Sequence, residues 1–122
     1  MFLTLGIALE LMHGFKLDWY LSVANETRRL LWRLAHAHGT LLGLVHLAFA
    51  WTMSVSSEDG RRWRGIASAC LIGATVLLPA GFLLGGSVVH GGDPNRSIVL
   101  VPAGAALLFV AVLLTALRSR LP

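Results

Sequence analysis

Five histidines are the residues of this chain with the widest chemical reach. His13, His36, His38 and His90 lie near the ends of three apolar segments, and alternating crossings of a bilayer would bring all four to one side. Imidazole titrates near neutrality and ligates transition metals. Ionisable groups inside a membrane are costly, so a ring of them marks a candidate site. Glu10 precedes His13 by three residues. This Glu-x-x-His spacing is how carboxylate-bridged metal sites in helical bundles draw two ligands from one helix face, although one copy stands here where two are usual. The expected metal set is Glu10, His13, His36 and His90, with zinc, copper or iron as the ion. The expected haem set is His13, His36, His38 and His46, in which imidazoles from facing helices would serve as axial ligands.

Helical geometry constrains these sets. At about 100° per residue, His36, Gly39, Gly43, His46 and Ala50 fall within an arc of roughly 80°, whereas His38 points about 200° away from His36. His36 and His46 are also about 15 Å apart along the axis, too far to share one small ion. Each residue has a plainer role to set beside the chemical one. His13 and His36 suit hydrogen bonds between helices. His38 suits the headgroup region or Glu26, and His90 an interfacial loop. His46 suits a bond to a carbonyl freed near Pro79, and Glu10 a pairing with Arg33 or a histidine.

The elements that must position these residues are apolar. Of 122 residues, 56% are hydrophobic and 13% charged, against about a quarter charged in ordinary soluble domains. The pattern predicts an all-α integral membrane protein, a single domain over 1–122 built as an antiparallel four-helix bundle, with spans at about 2–20, 30–55, 65–89 and 98–117. The first span is the most polar, carrying Glu10, His13, Lys16 and Asp18. Trp32 and Trp51 fall toward the two ends of the second, as in an aromatic belt. Pro79 interrupts the third, and Pro102 sits in the first turns of the fourth, where proline costs least. Between the second and third spans, Ser56 to Arg64 reads as a short hydrophilic hairpin with Glu58, Asp59 and Gly60. Small residues recur every four positions at Ala35, Gly39 and Gly43, at Gly65, Ala69 and Gly73, and at Gly81 and Gly85, a pattern that lets membrane helices approach closely.

The net charge of +4 does not point to nucleic acid, because the ten basic residues are spread over helix ends and loops as interfacial anchors. Orientation stays open. Lys16, Arg28, Arg29, Arg33 and Arg96 on one side balance Arg61, Arg62, Arg64, Arg118 and Arg120 on the other. Ser22-Val23-Ala24 has the small-residue spacing of a signal cleavage site, but no basic stretch precedes Phe2 and the apolar run is interrupted, so a retained first helix is expected. Cys70, the one cysteine, sits inside an apolar run as a small packing residue.

The segment Ala35-His36-Ala37-His38-Gly39-Thr40-Leu41-Leu42-Gly43 resembles the His-x-His-Gly second helix of small uncharacterised bacterial four-helix membrane proteins. Over about ten residues it is also similar to helices of haem-copper oxidase subunits. The resemblance implies haem or metal binding and carries over no reaction. Three readings follow: a haem or transition-metal redox site; a non-catalytic accessory subunit or homo-oligomer of a larger membrane complex; and a proton or small-solute transport element stepping through Glu10, His13, His36 and His46. For the last, Thr52, Ser54, Ser68 and Thr75 are the groups that would continue a path. Expected partners are the lipid bilayer and other membrane subunits or further copies, and the expected location is the bacterial cytoplasmic membrane. The chain lacks a phosphate-binding glycine loop, a Ser-His-Asp set, a Cys-x-x-Cys pair and a CxxCH haem attachment, which argues against hydrolase, nucleotide-binding and covalent c-type cytochrome readings. Enzymatic action on a small hydrophobic molecule such as a quinone stays open.

Overall fold

The structure, a computed structural model, describes residues 2–56 and 61–119. The expected hydrophilic turn at Glu58, Asp59 and Gly60 and the closing Arg120 lie outside the described residues. The chain runs α1 (Phe2–Gly14), α2 (Asp18–Leu21), a 3-10 turn (Val23–Asn25), α3 (Glu26–Val55), α4 (Arg61–Gly85), a two-residue-strand hairpin β1 (Val89–His90) and β2 (Asp93–Pro94), a second 3-10 turn (Arg96–Val99) and α5 (Leu100–Arg118). Three helical stretches, Val23–Val55, Arg62–Gly85 and Arg96–Arg118, are long and apolar enough to cross a membrane.

The first expected span departs from this pattern. α1 has 13 residues, so it reaches about 20 Å where a hydrocarbon core measures about 30 Å. It stops because the chain reverses after Gly14: Lys16 adopts φ 50, and the Leu17 amide turns back to the Met12 carbonyl at 3.1 Å. Residues 2–20 are therefore a short helix and a separate turn, not one crossing. The connection is stitched to the start of α3. Asn25 Nδ2 donates to the Trp19 carbonyl, Arg29 donates to the Tyr20 carbonyl at 2.9 Å, and the Trp19 and Trp32 rings meet edge to face at 6.1 Å.

Three long helices pack together with the short α1 beside them, in place of four full spans of the expected antiparallel four-helix bundle. α4 is central, packed against α3 on one side and α5 on the other; α1 packs on α3, and α3 and α5 barely meet. Neighbours run antiparallel, as shown by Gly73 beside Leu107 and Gly81 beside Val101. The core holds Leu42, Leu71, Leu78 and Ala111, with Cys70 packed against it as expected of a small apolar residue.

Small residues are inside and large ones outside. Ala35, Ala67 and Ala74 are fully buried, whereas Leu47 and Phe109 are 69% and 66% exposed. Water would penalise that arrangement; lipid does not, since lipid is as apolar as leucine and helices associate there through close packing. The small-residue ladders hold only in part. Ala35, Gly39, Gly81 and Gly85 are buried, but Gly43, Gly65 and Ala69 are exposed, and a methyl group on Gly43 or Gly65 would meet nothing within 4 Å. The buried seam of α4 is instead Ala67, Leu71, Ala74 and Leu78, spaced by alternating fours and threes.

The end of α4 explains how α3 and the hairpin are tied to it. The last carbonyls of a helix lack partners within it. Here Trp32 Nε1 donates to the Leu83 carbonyl at 3.2 Å, Asn95 Nδ2 to Leu84 at 2.6 Å, the Asn95 amide to Gly85 at 3.1 Å and Arg28 Nε to Gly86 at 3.2 Å. Arg28 also places a cation at the negative end of the helix dipole. The hairpin that brings Asn95 back turns through Gly91 and Gly92, both at positive φ (59° and 93°), a requirement of its two-residue loop. Thr27 ties that loop to α3 through the Gly92 carbonyl at 2.8 Å.

Candidate functional site

The histidines are distributed to separate contacts. His36 lies on the α1 side of α3, where its Nδ1–H donates to the Phe2 carbonyl at 2.8 Å and its ring lies against Gly6. His38, on the opposite side, donates from Nδ1 to Leu34 one turn earlier at 2.8 Å, and its ring lies 4.8 Å from that of Phe82 on α4. His38 thus faces α4, not the headgroup region or Glu26. His46 donates from Nδ1 to the Leu42 carbonyl at 2.9 Å, so its partner is its own helix rather than a carbonyl freed near Pro79. His13 is exposed in the last turn of α1, and His90 is exposed on β1.

This parcelling bears on both expected sets. Among the described residues, no three His, Cys, Asp or Glu side chains are grouped so that they could hold a metal ion. Glu10, His13, His36 and His90 therefore share one end of the molecule without converging. A carbonyl accepts only from a protonated nitrogen, so the bonded Nδ1 atoms of His36, His38 and His46 carry a proton, and in the neutral imidazole Nε2 is the nitrogen with a lone pair. Such an imidazole is oriented as a metal-ligating one is, with its second nitrogen held by a carbonyl.

Two of the expected residues do meet in a cleft. Glu10 and His36 line a space of about 500 Å³ between α1 and α3, together with Arg33 and the apolar side chains of Leu3, Ile7 and Leu11. Antiparallel packing produces it. Phe2 fills the space over Gly39 and His36 fills the space over Gly6, which carries Glu10, a turn further along α1, to the level of Arg33. No ion pair joins Glu10 to Arg33, although sequence reasoning offered that pairing. The sequence offers Arg33 as an interfacial anchor and as a partner of Glu10, not as part of a site with His36. The signal that it belonged to a site was the alignment of Gly6 with His36, which becomes visible only when the two helices are paired.

A second cleft, about 230 Å³, opens between α3 and α5 over Leu71. It is almost wholly apolar. Its two threonines, Thr52 and Thr115, are turned onto the Ala48 and Ala111 carbonyls of their own helices. Ser54 and Thr75 likewise bond within their helices, to Trp51 and Leu71. Thr52, Ser54 and Thr75, three of the four groups expected to continue a path beyond His46, thus direct their donors to their own helices.

Comparison of the chain with protein-family models, with characterised proteins and with solved structures finds no match.

Proposed function

We propose that this is a multi-pass integral membrane protein, crossing the bilayer with α3, α4 and α5 and dipping α1 into one leaflet, and that it acts as a non-catalytic assembly subunit that packs against helices of other membrane proteins. The bacterial cytoplasmic membrane is the proposed location. The spacing of Trp32 and Trp51, 19 residues or about 28 Å, suits the thickness of the hydrocarbon core.

The observation that carries the assembly reading is the unfinished face of α3. α1 covers it at His36 and Gly39, but in its continuation Gly43 and Ala50 are exposed, His46 is half-buried, and a methyl group on Gly43 would meet nothing within 4 Å among the described residues. Small residues there permit close approach, and the Nε2 lone pair of His46 favours a donor on the arriving helix. Two copies related by a two-fold axis would present lone pair to lone pair, so the favoured occupant is a different chain bearing an N–H or O–H group. The test is cross-linking in native membranes from a cysteine placed at Ala50, together with native electrophoresis of Gly43→Leu. Expected are capture of a partner chain and loss of the larger complex without a change in melting temperature. A monomer in both experiments refutes the reading.

The same geometry favours a second reading. Were a haem held between two copies, His46 of each would be the residue to hold it, and the group would supply one-electron redox chemistry. A Soret band that disappears in His46→Leu and accompanies a homodimer would select this reading over the first.

A further inference from the structure

We infer that the cleft between α1 and α3 holds the headgroup of a zwitterionic aminophospholipid, of the phosphoethanolamine type. The inference rests on the membrane-spanning reading above but not on the assembly role.

The cleft combines one carboxylate, Glu10, one guanidinium, Arg33, and one imidazole, His36, on otherwise apolar walls. Its volume of about 500 Å³ falls in the range of small-molecule sites, where a few polar groups fix orientation and apolar walls supply area. Glu10 and Arg33 are not paired with each other, so each is available to an opposite charge. Arg33 follows Trp32 directly, which puts both charged groups at the interfacial level where phosphates and ammonium groups reside. A guanidinium matches a phosphate in geometry as well as charge. An ammonium group can donate N–H bonds to a carboxylate, which a trimethylated choline cannot.

The apolar part of the site continues the match. Leu3, Ile7 and Leu11 form an exposed stripe one turn apart on α1, directed along the axis away from the charged end. An acyl chain attached to a headgroup at Glu10 and Arg33 would run along this stripe toward Leu3. An anionic lipid is a poorer fit, because Glu10 would face its phosphate without compensation. A free phosphate would leave the stripe unused.

The experiment begins with carbonate washing of membranes, then reconstitutes the full chain into bilayers of phosphatidylethanolamine, phosphatidylcholine and phosphatidylglycerol with matched acyl chains. Lipids that survive gentle detergent extraction are counted by native mass spectrometry. Expected is retention of the ethanolamine lipid over the choline lipid by roughly fivefold, the scale of one partly exposed ion pair. Glu10→Gln should erase that preference while lipid is still retained, and Arg33→Gln should lower retention of both lipids. Equal retention of all three, preference for the glycerol lipid, or a preference indifferent to Glu10→Gln would overturn the assignment while leaving the membrane reading intact. Release of the chain by carbonate would overturn both.

Discussion

Gly6 and His36 make the contact that fixes α1 on α3: a methyl group on Gly6 would lie 2.3 Å from His36 Cε1. Gly6→Ala should push the imidazole aside and break its bond to the Phe2 carbonyl, a loss of about 1 kcal/mol with overpacking added. Thermal melting in detergent should show the destabilisation. In a His36→Ala background the same change should be nearly silent, because the clash is gone, and a double-mutant cycle reads the difference. Equal effects in both backgrounds would mean that the two residues are not in contact.

Lys16 occupies a backbone conformation that glycine adopts freely, with φ 50 at the point where α1 ends. A side chain there costs about 1 kcal/mol, and Lys16→Gly should recover part of it despite the greater freedom of glycine in the unfolded chain. The expected result is a melting temperature that is raised or unchanged, whereas Lys16→Val should lower it. A marked loss of stability in Lys16→Gly would count against the reversal.

Much of the fold was legible from residue type alone. Apolar runs located α3, α4 and α5 within a few residues, and the glycine pair at 91–92 marked a turn. The first segment misled because Glu10, His13, Lys16 and Asp18 read as polar residues embedded in a crossing, whereas the left-handed Lys16 marks where the helix has ended. Composition cannot reveal a left-handed lysine, since nothing in its side chain favours that conformation. The ladders through Gly43 and Gly65 misled because four-residue spacing defines a helix stripe without saying which stripe meets a neighbour. As for the candidate site, Glu10 and His36 were visible as chemistry-bearing residues. The grouping with Arg33, and the separation of His13 and His90 from it, followed from where α1 lies along α3.

Trp32 joins the start of α3 to the end of α4 through the Leu83 carbonyl. Trp32→Phe keeps the ring area facing Trp19 and removes only the donor, so about 1 kcal/mol should be lost, more if the carbonyl finds no substitute partner. Arg28→Met should remove both a donor to Gly86 and the favourable charge at the helix end, at a similar cost. Amide exchange at Gly86 and Ser87, whose amides close the last turn onto Phe82 and Leu84, should quicken in both variants. Unchanged exchange would show that these donors do not hold the end of α4.

The inner and outer glycines should respond oppositely to the same substitution. A methyl group on Gly104 would sit 2.8 Å from the Leu78 backbone nitrogen, which can yield only if α4 and α5 move apart, so Gly104→Ala should cost about 1–3 kcal/mol. On Gly65 a methyl group would meet nothing within 4 Å, and Gly65→Ala should gain the ~1 kcal/mol by which alanine exceeds glycine in a helix. Melting in a single detergent compares the two directly. Stabilisation by both would mean that α4 and α5 do not cross at Gly104. Destabilisation by Gly65→Ala would instead reveal a partner on the exposed side of α4, a contact that dilution into excess detergent should abolish.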